Sequence, residues 1–450
     1  MVAVVSAPTP KTDALTRLAP LDRMRGLVIA LMAVDHSSEA FNAGRLFTDS
    51  ALFYKPGTPL PAAQFLTRWL THLCAPTFLF LAGVGLAFSL EKERTRPGGA
   101  WAADRYLLVR GLMIVAFEAW VSLFLVPHGV WLMQVLYAIG TSYLLMIPLR
   151  RLPTRAAGVL AVALIVGLEA ASRAAVGAVA GGDPSQLPLP LALLAVPRPR
   201  PPVILGYPTL PWLAILLLGW TLGRHLVAHP EARAGLGRWF ARGGVALLAV
   251  FAIVRGVNGY GNMGLLRDGG ALDASTDRNV NERSMAPDGD RGVRASAASE
   301  SNDREARLRR AGVDGRRWGG PAGGAQAPSA SGEAALVQWL HVSKYPPSLS
   351  YVALELGLMG LGLAWMFALA RRRPAGPNDV LIVLGQTPMF FYLLHFPLLA
   401  GAARVLGIGH KLGLAATYVG AVAVVAVLYP ACRWYRGFKA SGRHPWTRYV

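Results

Sequence analysis

Ten apolar blocks, each long enough to cross a bilayer, constrain this chain more than any other feature. They run over roughly 21–40, 63–90, 104–125, 130–148, 154–176, 209–227, 237–257, 347–370, 378–404 and 411–432. About 20 apolar residues of helix cover the hydrocarbon layer, and in lipid the backbone must satisfy its own hydrogen bonds. The blocks predict an all-α, polytopic transmembrane helical bundle of about ten spans. Composition agrees, with 53% of the 450 residues hydrophobic and only 16% charged, and a mean hydropathy of +0.39. A soluble chain of this length shows more charge and shorter apolar periods.

The net charge of +20 would suit a nucleic-acid binder. Here the basic residues lie between the apolar blocks and form no single patch, so no nucleic-acid partner is expected. With the N-terminus inside, the inner segments hold 24 Lys and Arg and the short outer segments hold six. The positive-inside rule then puts both termini in the cytoplasm. The first twenty residues lack the apolar core of a cleavable signal, so the first span is expected to act as its own insertion signal. Cys74 and Cys432 lie in or beside different spans, which leaves no disulfide framework and no zinc spacing.

Residues 259–340 break the pattern. By composition they hold eleven Arg and eleven Asp or Glu with almost no apolar run. Such a segment cannot bury a core and should be disordered, outside the membrane. The expected organisation is a cytoplasmic tail over 1–18, spans one to seven over 19–258, the external insertion over 259–340, spans eight to ten over 341–432, and a basic cytoplasmic tail over 433–450.

Span one carries the most informative polar spacing. Arg25 and His36 are eleven residues apart in an otherwise apolar stretch that ends in Asp35-His36. Eleven residues make about three turns and a rise of roughly 16 Å, so both lie on nearly the same helix face. Arg25 sits at a membrane surface and His36 half-way or more across. Ionisable groups at that depth usually face a protein interior or a water-filled cavity. A His beside a carboxylate also suits a general base.

Other spans place polar groups at compatible depths. Arg68 and His72 share a face of span two, Glu118 lies in span three, Glu355 in span eight and His395 towards the outer end of span nine. Each has a structural alternative. His395 could simply bond a neighbouring helix, and Glu118 or Glu355 could lock onto Arg68. The histidines sit on different helices without a local ligand motif, so no metal is expected. Pro76 removes the helical donor for the carbonyl of His72. Broken backbone at membrane depth is tolerated where it lines a cavity, although a plain packing kink fits equally. Tyr207-Pro208-Thr209-Leu210-Pro211-Trp212 and Lys344-Tyr345-Pro346-Pro347-Ser348 open spans six and eight at the interface. Lys344 could contact an anionic acceptor.

These segments together resemble a known family. They are Leu21-Asp22-x-x-Arg25-Gly26 with Asp35-His36, Thr67 to Pro76 running into Phe80-Leu81-Ala82-Gly83, Arg110-Gly111 with Glu118, Gln134-Val135 with Ile139-Gly140, Tyr207-Pro208 with Pro211-Trp212, Lys344 to Leu349, and Pro388 to Tyr392 with His395. In that order the chain resembles bacterial relatives of heparan-α-glucosaminide N-acetyltransferase, within the multi-span membrane acyltransferases. The resemblance covers nearly everything except 1–18 and 259–335. It implies acyl transfer, usually of acetyl from acetyl-CoA, to a sugar hydroxyl or amine. Sugar O-acetyltransferases of the superfamily carry Asp-x-x-Arg and a histidine eleven residues after that Arg. Asp22, Arg25 and His36 match, so the resemblance implies that His36 is the base. The lysosomal namesake departs here, with an asparagine where His36 stands. The resemblance also implies a bacterial inner (plasma) membrane.

The chemistry agrees with the residues. Acyl transfer from a thioester needs a base and donors for the developing oxyanion. His36, oriented by Asp35 or Glu118, could be the base, and Arg68 or His72 could stabilise the anion. Arg23, Arg25, Arg105 and Arg110, with Asp22, form an inner cluster that could hold CoA phosphates, or could be ordinary positive-inside charge. The expected partners are acyl-CoA, a glycan or lipid-linked acceptor and the bilayer, with a homodimer left open. Two other classes stay in view: a proton-coupled transporter or flippase of an envelope precursor, and a scaffolding membrane protein. Internal repeats would favour the transporter, and none is visible.

Overall fold

The computed structural model describes residues 18–51, 54, 60–126, 129–257, 332–374, 376 and 378–449. Their helices are α1 (Ala19–Phe41), α2 (Ala62–Thr71), α3 (Cys74–Arg94), α4 (Gly99–Leu125), α5 (Val135–Leu149), α6 (Thr154–Ala180), α7 (Leu189–Ala195), α8 (Thr209–Ala228), α9 (Leu236–Gly256), α10 (Gly332–Leu340), α11 (Leu349–Arg372), α12 (Val380–Gln386), α13 (Pro388–Val405) and α14 (Leu414–Ala440). Each of the ten expected spans contains a helix. Among the described residues eight segments are long and apolar enough to cross a membrane, counting α2 with α3 as one. The chain is an integral membrane protein. The two expected spans that fall short do so for different reasons. α1 is long enough but carries Asp22, Arg23, Arg25 and Asp35. α5 has 15 residues, a rise of about 22 Å against roughly 30 Å of hydrocarbon.

Two expected spans are interrupted. Span two breaks at His72–Leu73, between α2 and α3, where Pro76 withdraws its donor. Span nine breaks at Thr387, between α12 and α13, just before Pro388. Span four begins as extended chain. Trp131–Met133 (β1) pairs in parallel with Val203–Leu205 (β3), and Arg198–Arg200 (β2) pairs antiparallel to β3. This three-stranded sheet, in the order β1-β3-β2, was not visible as a pattern, because three-residue strands show no period.

α1 lies at the centre of the bundle and packs against α2, α3, α11, α12, α13 and α14. Glycine permits the closest of these approaches. A Cβ at Gly26 would stand 2.0 Å from the Leu381 carbonyl oxygen of α12, and one at Gly385 would stand 1.9 Å from that of Asp22. Small residues let membrane helices meet at backbone distance. The surrounding pairs are α3 with α8, α4 with α5, α6 with α8, and α9 with α11.

The insertion expected over 259–340 lies outside the described residues up to 331. Its last nine residues differ from that expectation, because they form α10. Arg255, buried at the end of α9, donates from Nε to the Trp339 carbonyl at 2.6 Å and from Nη2 to the Gln338 carbonyl. A cation on the last carbonyls satisfies the open end of a helix. Phe251 meets Trp339 edge-on at 4.9 Å. The amphipathic end of the segment therefore docks on α9.

Candidate active site

The eleven-residue spacing on α1 sets the geometry. At one end Arg25 bonds Asp22 one turn earlier (Nη1–Oδ1 2.9 Å) and the Leu81 carbonyl of α3 (2.9 Å). Asp22 in turn accepts from Gln386 at 3.1 Å. Arg23 pairs with Asp379 at 2.8 Å. Asp22, Arg23 and Arg25 thus tie α1 to α3 and α12. Arg110 donates to the Tyr106 hydroxyl and to the Arg448 carbonyl, both at 3.1 Å, so the C-terminal segment lies over this end of α4. Arg105 is exposed and stacks over Trp101 at 5.6 Å. The five expected cofactor-binding residues do share one end of the bundle, but four of them also serve as structural ties.

Three turns along α1, His36 meets a residue from the interrupted span nine. His36 Nδ1 lies 2.6 Å from His395 Nε2. The two rings stack at 4.8 Å and 26°, and Phe396 covers His36 at 4.3 Å. His395 is fully buried, whereas His36 is half-buried.

Neither carboxylate expected to orient His36 bonds its ring. Asp35 points the other way. Its Oδ1 accepts from Arg45 (3.0 Å), Arg68 (2.5 Å) and Thr71 (3.1 Å). Adjacent residues on a helix diverge by about 100°, so Asp35 and His36 could not share a partner. Glu118 accepts from the Tyr137 amide at 2.8 Å, in the first turn of α5. A carboxylate there fills an orphan donor and complements the helix dipole, so Glu118 caps α5 from α4.

Arg68 differs from its expected role as well. Its Nε and Nη2 reach Asp49 Oδ2 at 2.6 and 2.5 Å while Nη1 reaches Asp35. All three guanidinium nitrogens are taken by carboxylates, and the residue clamps α1 and the 42–51 loop onto α2. Burial works to raise the Asp49 carboxyl, but Arg68 and then His72 hold it well below the usual carboxylate range. The same loop is knitted to residues 341–345. The Lys344 amide donates to the Asp49 carbonyl at 2.7 Å and His341 Nε2 bonds the Thr48 carbonyl at 2.8 Å. Burial pushes the His341 imidazole down to about 4.

Two buried polar side chains beside this clamp lack full partners among the described residues, and a buried cation lies near them. His72 Nδ1 makes no hydrogen bond, and Nε2 stands 3.4 Å from Asp49 Oδ2. Both carboxylate oxygens of Glu355 are unbonded. Lys344, 3% exposed, sets its Nζ over the Tyr345 and Tyr207 rings at 5.2 and 6.0 Å. Its charge is close enough to act on His72, Asp49 and Glu355 alike. Buried polar groups left open in this way mark a place where a polar ligand or water completes the set. Among the described residues no three His, Cys, Asp or Glu side chains gather as metal ligands.

Sequence reasoning missed Arg45, Asp49 and His341, which lie in loops where polar residues are ordinary. It singled out His395 but had no signal for its partner 359 positions away. A family model for the heparan-alpha-glucosaminide N-acetyltransferase catalytic region matches residues 17–253, more than half of the chain. That stretch carries His36, Arg68, His72 and Glu118, and ends before Lys344, Glu355 and His395. No curated protein matches the chain.

Proposed function

The chain belongs to the heparan-α-glucosaminide N-acetyltransferase catalytic family, and from that premise we propose that it moves an acetyl group from acetyl-CoA to an amine or hydroxyl of a glycan or lipid-linked acceptor. The family is one of transferases, and acyl-CoA is the co-substrate such chemistry uses. The observation that carries the reading is the placement of His36. It is a half-buried imidazole three turns along α1 from the arginine-rich end, backed by a second imidazole at 2.6 Å.

In this reading the arginine-rich end is cytoplasmic and receives CoA, with Arg105 and the exposed edges of Arg25 and Arg110 facing its phosphates. Pantetheine is an extended arm, which suits a donor bound at one end and reacting deeper. The acceptor arrives from the opposite end, beside His72, Lys344 and Glu355. Its nitrogen or oxygen attacks the thioester carbonyl and gives its proton to His36. The C–S bond breaks, and the CoA thiolate leaves with the electron pair and takes up that proton. Lys344 is the cation this reading assigns to the oxyanion, since Arg68 is engaged by Asp35 and Asp49.

The test is transfer of labelled acetyl from acetyl-CoA to glucosamine by the purified protein in lipid. His36→Ala should lower turnover by about 10²-fold or more while acetyl-CoA binding survives. Wild-type turnover by a correctly inserted His36→Ala protein would overturn the mechanism. A second reading, a proton-coupled transporter or flippase, draws on the two broken spans, a feature of transporter folds. Acetyl-CoA-independent flux in proteoliposomes would favour it.

A further inference from the structure

His36 and His395 touch through Nδ1 and Nε2, and the remaining hydrogen bonds decide where the proton lies. His395 Nδ1 stands 2.7 Å from the Tyr392 carbonyl oxygen and 3.1 Å from that of Phe391. A carbonyl oxygen only accepts, so Nδ1 is the protonated nitrogen of His395. In a neutral imidazole the other nitrogen is then a bare acceptor. The hydrogen in the 2.6 Å contact therefore belongs to His36 Nδ1. By the same rule His36 Nε2 carries the lone pair. That nitrogen has no hydrogen-bond partner among the described residues, and His36 is the more accessible of the two rings.

We propose that His395 is a positioning residue that fixes His36 in the Nδ1–H form and so presents Nε2 as the base. The inference rests on the reading of His36 as the proton acceptor. An imidazole with neither nitrogen bonded favours the opposite form, with the proton on Nε2 and no lone pair available there. Back-bonding of His395 to its own helix prevents that, because the carbonyls of Phe391 and Tyr392 hold its ring and its tautomer. The device is the one an orienting carboxylate performs in a Ser-His-Asp triad, here built from a neutral ring. A neutral acceptor suits the site. A carboxylate buried at this depth would need a cation of its own, and the nearby arginines are already paired. When the acceptor's proton arrives on Nε2, the imidazolium donates from Nδ1 to His395 Nε2. A charge-assisted bond of that kind is stronger than the neutral one it replaces. His395 thus both selects the tautomer and steadies the cation, without touching either substrate.

The pairing also joins α1 to the interrupted span nine. α13 begins again at Pro388 after the break at Thr387, and it is this restarted helix that carries His395. Stacking against Phe396 and His395 holds the plane of the His36 ring. The Phe396 ring offers His36 no competing hydrogen-bond partner.

Magic-angle-spinning NMR of ¹⁵N-histidine-labelled protein in lipid at pH 8 tests this directly. His36 and His395 are assigned by loss of their signals in His36→Gln and His395→Gln. In the wild type both residues should show Nδ1 protonated and Nε2 bare. In His395→Leu, His36 should revert to the Nε2–H form. Turnover provides the second arm. His395→Leu should lower kcat about 10²-fold at unchanged KM for acetyl-CoA. His395→Gln, whose side-chain oxygen can accept from His36 Nδ1, should recover at least tenfold of that loss. A purely structural His395 would give no such rescue. A wild-type spectrum with Nε2–H at His36, or one that His395→Leu leaves unchanged, overturns the inference. The spectrum decides it even if the wild type transfers nothing to glucosamine, an outcome that would count against the base reading alone.

Discussion

The Tyr351 hydroxyl donates to the His72 carbonyl at 3.1 Å, the acceptor that Pro76 leaves without its helical donor. One buried phenol on α11 therefore repairs the break between α2 and α3. Tyr351→Phe should strand that carbonyl in a buried site and cost about 1–3 kcal/mol. Thermal unfolding in detergent would check this, and an unchanged midpoint would show that water fills the gap.

That repair shows what could be read from the sequence. Pro76 announced a free carbonyl at His72, because a missing N–H is a local fact. Its donor lies 279 positions away and had no local signature. The ten spans were legible for the same reason, since bilayer thickness fixes a length that apolar runs must meet. Depth arithmetic brought His36, Arg68 and His72 to one level, but depth says nothing of azimuth. Asp35 and His36 share a depth and face different partners, Arg68 and His395. Glu118 sits in a span expected to face the site and instead caps α5, because the start of span four became a strand.

Arg68 separates a structural from a chemical role. It bridges Asp35 and Asp49, all three largely buried. Removing one partner of a buried charge network typically costs about 3–5 kcal/mol. Arg68→Ala should therefore reduce folded yield and thermal stability. A stable, folded Arg68→Ala protein that fails only in turnover would restore the oxyanion role.

Low pH should loosen the 341–345 loop. His341 is buried neutral and donates from Nε2 to the Thr48 carbonyl. Burial lowers its folded-state pKa from the ordinary 6.5 to about 4. The unfolded chain therefore binds a proton first, so the contribution is complete above pH 6.5 and is lost as pH falls towards 4. The linked change is about 3 kcal/mol at most. His341→Gln should flatten the unfolding midpoint between pH 7 and 4.5. An equally steep dependence in that variant would assign the effect to other groups.

Both termini should face the cytoplasm. Arg110 bonds the Arg448 carbonyl, so the C-terminal segment lies at the arginine-rich end. Cys74 and Cys432 are buried, so added thiols can be labelled selectively. Impermeant maleimide on intact cells should reach Arg200→Cys and leave Ser441→Cys unreacted. Labelling of both from outside would reject this orientation.

Glu355 offers the sharpest test of where the acceptor binds. A buried carboxylate with neither oxygen bonded is a liability for folding, so a structural account has little to offer for it. Its two oxygens are acceptors that no side chain uses, and the charge of Lys344 acts on them from nearby. A hydroxyl or amine can donate to them, and the Tyr207 and Tyr345 rings around Lys344 give such a ligand an apolar wall. Glu355→Gln should leave thermal stability close to unchanged, because an amide of the same shape replaces a carboxyl that makes no hydrogen bond. It should weaken acceptor binding, raising KM for glucosamine about tenfold or more, the loss expected for a hydrogen bond to a charged group. Acetyl-CoA affinity should not move, since the donor binds at the other end. If Glu355→Gln instead unfolds the protein and leaves acceptor KM intact in what remains, the carboxylate belongs to the framework and the acceptor lies elsewhere.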